Sequence, residues 1–218
     1  RMSQQMVIIG AGLAGLSAAC TAARQGWRVW LCSSLPSERA QSVMAEGGIN
    51  AALDTQGQED SPARHRADTL RAACGLADPN AVLAMTAAAP ALVEELADLG
   101  VPFNRTADGQ IDLRYFGGQK KKRTAFSQSD TGKQLMTALI DAVRRYEAEG
   151  TVHRLNHHDF LTLLHDGPVC TGASLRDTWS GEQCDLPAQA VIIASGGLHG
   201  LFSCTTGSLA DTGAVTAE

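Results

Sequence analysis

Apolar residues along this chain fall into two kinds of pattern. One is nearly continuous: Val7-Ile8-Ile9, Trp27 to Cys32, and Ala190 to Ser195. Unbroken runs of this length suit strands buried on both faces of a parallel sheet. The other recurs every three to four residues, at Leu92, Val93, Leu96 and Leu99, and again at Leu135, Met136, Leu139, Ile140 and Val143. That spacing predicts helices with a buried stripe. Polar punctuation sets their ends. Ser61-Pro62 and Asp78-Pro79 each put a capping residue before a first-turn proline, and Gly100 closes that helical block. A long helix opens at Asp130 or Thr131 and runs to about Glu149, with Asp141 and Arg145 as an exposed (i, i+4) pair and Gly150 as its stop.

Between the helical blocks, Val101 to Lys122 is rich in turn residues, and Asp108-Gly109 predicts a hairpin. Thr151 to Asp166 reads as strand. Val169 to Leu186 reads as two antiparallel strands joined through Trp179-Ser180-Gly181-Glu182. The predicted fold is therefore α/β, with a central parallel sheet, a helical insertion and a small antiparallel β-layer.

The first apolar run ends in Gly10-Ala11-Gly12-Leu13-Ala14-Gly15, and an alanine-rich helix follows to Gln25, with Gly26 beyond it. A G-x-G-x-x-G between strand and helix is a dinucleotide-binding, Rossmann-like pattern. Its glycines allow a tight turn, close approach of a pyrophosphate, and close helix–strand packing, while the helix N-terminus offers N–H groups to phosphate. An Asp or Glu usually ends the second strand of such a unit to hold a ribose. Here Ser33-Ser34 stand in that place and the nearest acid is Glu38, which argues against a plain nicotinamide dehydrogenase. Arg39 to Asn50 carries the paired Gly47-Gly48, whose bare amides serve either a second cofactor contact or a simple turn.

Composition narrows the class further. The 218 residues are 44% hydrophobic and 19% charged, with a net charge of −5, which argues against general nucleic-acid binding. No apolar run approaches the ~20 residues of a membrane-spanning helix. Six scattered cysteines without a C-x-x-C pair point to a reducing cytoplasm and carry no iron–sulfur signature. His153, His157, His158 and His165 lack partners at ligand spacing, so no metal site is expected. His65 reads as a surface or capping histidine, and Lys120 to Arg123 as a solvated loop. Arg1 before Met2, and a helix opening at Gly213, read as an N-terminal piece of a longer protein, one domain over residues 1–218.

Several segments occur in a telling order: GAGLAG, R-A-Q-S-V-M-A-E-G-G-I-N (39–50), F-N-R-T-A-D-G (103–109), R-Y-F-G-G (114–118), K-R-T (122–124), D-T-G-K-Q-L (130–135) and A-S-G-G (194–197). Together they resemble the flavoprotein subunit of the succinate dehydrogenase and fumarate reductase family. The resemblance implies FAD, and hydride transfer between flavin N5 and a dicarboxylate. It implies cofactor contacts from Gly10, Ala11, Gly12, Leu13, Ala14, Gly15, Ser33, Ser34, Arg39, Gln41, Ser42, Ala45, Glu46, Gly47, Gly48, Asp159, Ala194, Ser195, Gly196 and Gly197, with Phe116 near the substrate side of the ring.

Two departures stand out. Membrane-bound members bond the flavin covalently through a histidine, and the matching residue is Gln41, so FAD is expected to be non-covalent. Such attachment accompanies efficient succinate oxidation, so its lack tilts the resemblance toward fumarate reduction or toward an oxidase of the aspartate type. Many relatives place an Asp on the FAD where this chain has Ala214, so that contact is missing or the match is offset by a few residues. The family's substrate-binding and proton-donating Arg and His residues would lie beyond Glu218, so no catalytic residue is expected in this chain. An iron–sulfur subunit or another donor would supply electrons. L-aspartate oxidase, which shares A-x-G-G-I and A-S/T-G-G, and a flavin-binding module without turnover are the alternatives.

Overall fold

The computed structural model describes residues 4–217. In chain order the elements are β1 (Gln5–Ile9), α1 (Leu13–Arg24), β2 (Arg28–Ser33), β3 (Ile49–Asn50), α2 (Pro62–Ala72), α3 (Pro79–Asp98), β4 (Leu113–Arg114), β5 (Thr124–Ala125), α4 (Thr131–Ala148), β6 (Val152–Asn156), β7 (His158–Asp166), β8 (Val169–Asp177), β9 (Gln183–Pro187), β10 (Ala190–Ile193) and α5 (Ala214–Ala217). The chain forms two compact units. One comprises Arg1–Met44 and Leu139–Glu218, the other Ala45–Ala138.

The first unit is built on a four-stranded parallel sheet in the order β10-β1-β2-β6. Its two central strands are the predicted continuous apolar runs. Val7, Ile8, Val29 and Leu31 are fully buried because both faces are covered. Helix α1 packs on the sheet through Leu16 and Ala19. Strands β7, β8 and β9 form a separate antiparallel sheet. Ala173 and Leu175 of β8 join Val7, Ile9 and Cys32 in one apolar cluster. The expected two-strand layer is thus three strands. The stretch 151–166 breaks at His157 (φ +61°), so β6 joins the parallel sheet and β7 the antiparallel one.

The second unit holds α2, α3 and a small antiparallel sheet, β3-β5-β4. Both predicted caps are present. Ser61 Oγ accepts from the Arg64 N–H at 3.3 Å, and an Asp78 carboxylate oxygen accepts from the Asn80 N–H at 2.8 Å. The expected hairpin at Asp108-Gly109 closes through an antiparallel bridge between Arg105 and Ile111. Helix α4 carries the chain from this unit back to the first, and its stripe from Leu135 to Val143 is buried as the spacing required.

Four expectations are corrected. Leu92 and Leu99 are exposed, because the buried row of α3 is Val82, Thr86, Ala89, Val93 and Leu96, and a seven-residue step places Leu92 and Leu99 beside that row. Asp141 pairs with Arg144 at 3.3 Å rather than with Arg145. His65 is buried, not at the surface. Arg123, at the end of the basic run, is only 1% exposed and sits in the interior of its unit.

Candidate cofactor cleft

The turn between β1 and α1 is shaped by close backbone approach. Gly10 has φ +107°, and a β-carbon there would lie 2.1 Å from the Ala194 carbonyl oxygen. A β-carbon on Gly15 would lie 1.8 Å from the Gly10 carbonyl oxygen. Only glycine lets β10, the turn and α1 meet at these distances. Helix α1 starts at Gly12, which has no side chain to cap it. The Leu13 N–H instead donates to Ser42 Oγ at 3.3 Å. The first turn of α1 therefore presents main-chain donors and the positive end of a helix dipole, with no acid in that turn to neutralise it.

That helix end faces a cleft of about 400 Å³ within the first unit. Its walls come from Gly10 to Gly12, from Ser33 to Leu35 at the end of β2, from Arg39 to Ser42, and from Ala194 to Gly197 after β10. Segments separated by more than a hundred residues converge because β10 and β2 flank β1 in the same parallel sheet, so their C-terminal ends open on one side. Ser33 Oγ donates to the Leu35 carbonyl at 2.7 Å, which bends the chain away from the strand. Gln41 lines the cleft beside Ser42.

Of the expected cofactor contacts, Gly10, Ala11, Gly12, Ser33, Ser34, Arg39, Gln41, Ser42, Ala194, Ser195, Gly196 and Gly197 line this one cleft. Leu13, Ala14 and Gly15 form the first turn of α1. Asp159 does not line it. Its carboxylate pairs with Arg176 at 3.3 Å, while its neighbours His158 and Phe160 do line the cleft. The alternation of a strand accounts for this, since odd and even residues of β7 face opposite ways. Sequence reasoning missed Leu35, His158, Phe160, His199 and Asp211. Period-two alternation could have singled out His158 and Phe160. Asp211 stands a few residues before Ala214, within the offset left open for the family's Asp, and it reaches the wall through a loop that brings its carboxylate 3.3 Å from where a β-carbon on Gly196 would stand.

Ala45, Glu46, Gly47 and Gly48 belong to the second unit. Arg114 organises them. It donates to the Gly47 carbonyl at 2.6 Å and to the Glu46 carbonyl at 3.2 Å, and its guanidinium carbon lies 4.5 Å from the Phe126 ring centroid. A β-carbon on Gly47 would stand 2.6 Å from the Phe116 ring, so a side chain there would have to push that ring aside. Phe116 itself is half exposed. With their carbonyls held by Arg114, the turn's remaining backbone is presented as bare peptide.

The four histidines of 151–166 are placed apart. The His153 ring packs on Trp30 at 4.7 Å and the His157 ring stacks on Trp179 at 4.3 Å. His158 Nδ1–H donates to the Asn156 carbonyl at 2.8 Å. Among the described residues no three His, Cys, Asp or Glu side chains converge as metal ligands.

A cleft whose floor excludes side chains, set at a helix start open to anions, fits the pyrophosphate of a dinucleotide. Comparison with known proteins identifies which dinucleotide. Residues 5–217 match the family model described as FAD binding domain. The chain belongs to the FAD-binding domain family. This FAD-binding domain is 41% identical over 214 residues to the succinate dehydrogenase flavoprotein subunit of Bacillus subtilis, covering 97% of this chain and 36% of that protein. It is 36% identical to the L-aspartate oxidase of Mesorhizobium japonicum, covering 95% of this chain and 39% of that protein. In the solved Mycobacterium smegmatis Sdh1 complex, a chain 30% identical in sequence superposes with a TM-score of 0.90 over 97% of this domain and 37% of its own length. The domain thus spans little more than a third of the proteins it resembles. Its α/β architecture is theirs. Among the described residues no helix is long and apolar enough to cross a membrane.

Proposed function

We propose that this domain holds FAD non-covalently in a flavoprotein that reduces fumarate to succinate. The observation that carries the reading is the convergence of Gly10 to Gly12, Ser42 and Ala194 to Gly197 on one cleft, with Gln41 in its wall. Bound FAD, once reduced by the electron donor, would supply a hydride from N5 to one alkene carbon while a proton reaches the other, which returns the flavin to its oxidised form. The residues of this chain bind and orient. Main-chain N–H groups at the start of α1 receive the pyrophosphate, Ser33 and Ser34 serve the ribose, and His158 and Phe160 flank the adenine side. The Gly47-Gly48 turn approaches the flavin, and Phe116 stands on its substrate side. Gln41 offers an amide, which has no imidazole nitrogen to bond the flavin ring, so all the affinity is non-covalent.

Residues 1–218 are read as FAD-binding domain throughout. Substrate clamping and proton delivery fall to Arg and His residues outside this chain, and electrons come from an iron–sulfur subunit or another reductant. The protein works in the cytoplasm, docked at the inner membrane if its donor is there.

A second reading, an oxidase of the L-aspartate type, is favoured by the 36% identity to such an enzyme over nearly the whole chain. Two measurements test these proposals. Acid precipitation of the flavin-loaded domain should leave the yellow colour in the supernatant, and colour in the pellet would overturn the non-covalent assignment. In the intact protein, fumarate-dependent oxidation of reduced viologen should far exceed aspartate-dependent oxygen consumption. The opposite ratio selects the oxidase.

A further inference from the structure

The second unit contains a buried ionic hub that the cofactor contacts do not use. Arg123 is 1% exposed, and its Nη2 lies 2.9 Å from both Asp60 Oδ1 and Asp68 Oδ2. The Asp60 side chain is fully buried, and Asp68 is about one-third exposed. The two carboxylates come from different backbone settings. Asp60 ends a loop tied by Asp54, whose carboxylate accepts from the Gln58 and Asp60 N–H groups at 2.8 and 3.1 Å. Asp68 stands in α2. His65, buried beside them, has its pKa pushed down by burial and by Arg123, so it remains neutral and adds no second cation.

Stability alone is a poor reason for such a hub, since a buried ion pair often gains no more than apolar packing would. Its placement supplies a better one. The Arg123 carbonyl accepts from the Ala51 N–H at 2.7 Å, and the next residue, Thr124, donates from Oγ1 to Asn50 Oδ1 at 2.6 Å. A β-carbon on Gly48 would lie only 2.4 Å from the Ala125 carbonyl oxygen. Residues 123 to 125 are therefore the wall against which Gly48, Asn50 and Ala51 are set. The guanidinium of Arg123 fixes that wall from behind, because a single nitrogen, Nη2, meets carboxylates from a loop and from α2 and ties both to one point.

We propose that Arg123, anchored by Asp60 and Asp68, is a positioning residue that sets the conformation of the Gly47-Gly48 turn, and through it the affinity for flavin. The proposal rests on the flavin reading given above for that turn. It assigns the hub a functional consequence, with Arg123 acting through the backbone and touching no cofactor.

The test compares Arg123→Lys, Asp68→Asn and Val93→Ala in the 218-residue protein. Lysine keeps the charge but is shorter, so its ammonium stops short of the point where Arg123 Nη2 meets both carboxylates. Asp68→Asn is the milder change, at the partially exposed partner, and guards against a folding failure of the first variant. Val93→Ala removes buried volume from α3 in the same unit and controls for general destabilisation. Two readouts are used: amide hydrogen exchange at Ala51, and FAD affinity from quenching of flavin fluorescence. Arg123→Lys and Asp68→Asn should speed exchange at Ala51 and weaken FAD binding about tenfold, whereas Val93→Ala should leave affinity within about twofold. Unchanged exchange at Ala51 in both hub variants overturns the positioning role. So does faster exchange with unaltered FAD affinity. If the unaltered protein binds no FAD, the flavin reading itself fails, an outcome recognised before any variant is compared.

Discussion

The Ser42 hydroxyl caps the first helix from outside it, accepting the Leu13 N–H at 3.3 Å across 29 residues of sequence. Gly12 occupies the N-cap position and supplies no side chain. Ser42 therefore stabilises α1 while standing in the cleft wall. Ser42→Ala should cost about 1 kcal/mol of stability in the cofactor-free protein, the usual worth of a lost cap. Urea denaturation with and without FAD checks this, and an unchanged midpoint without FAD would mean the contact contributes nothing.

Gly15→Ala should be far more damaging. Its β-carbon would stand 1.8 Å from the Gly10 carbonyl oxygen, and backbone on both sides must move to admit it. We expect a loss of roughly 3 kcal/mol or more, with FAD affinity reduced beyond measurement. Gly26→Ala is the contrast. Nothing lies within 4 Å of a β-carbon there, so only the φ of +84° penalises it, by about 1 kcal/mol.

Arg114→Ala removes two carbonyl contacts and the cation over Phe126. Differential scanning calorimetry should record a loss of about 2 kcal/mol. Arg114→Lys should recover less than half of this, because an ammonium cannot span the Glu46 and Gly47 carbonyls while stacking on the ring.

Stability should also fall in mild acid through His65. Burial, then Arg123, hold its folded pKa below the ordinary 6.5, so the folded state favours the neutral ring. A base with a depressed folded pKa contributes fully above its unfolded value, and that contribution is lost as pH falls below about 6.5 toward the folded pKa. His65→Asn should flatten this part of the stability–pH curve. An identical slope in both proteins would remove His65 as its source.

Thiol chemistry should separate the cysteines by burial. Cys32 is almost fully buried in β2, and burial pushes its pKa up to about 12. Cys74 and Cys204 are exposed. A thiol-reactive dye should label Cys74 and Cys204 rapidly in the native protein and reach Cys32 only on unfolding, as peptide mass mapping would show.

Much of this architecture was legible because it depends on local patterns. Val7 to Ile9, Val29 to Leu31 and Ala190 to Ile193 are apolar without alternation, which admits little besides a doubly covered parallel sheet. The caps at Ser61 and Asp78, and the stripe of α4, follow from short-range geometry. The glycine turn declared a dinucleotide site because close backbone approach tolerates no other residue at Gly10 and Gly15.

What the residues alone did not disclose depends on partners distant in the chain. Lys120 to Arg123 has the composition of a solvated loop, yet Arg123 is interior because Asp60 and Asp68 arrive from other elements to neutralise it. His65 is buried beside it, where burial favours the neutral ring. Asp159 was singled out where its neighbours His158 and Phe160 line the cleft, since the facing of β7 is set by its pairing with β8. Local spacing thus determined the elements and the dinucleotide turn, while the reading of Gln41 came from the family resemblance. Tertiary structure alone decided which charges could be buried and which side chains meet at the cleft, because desolvation and convergence are properties of groups brought together across the fold.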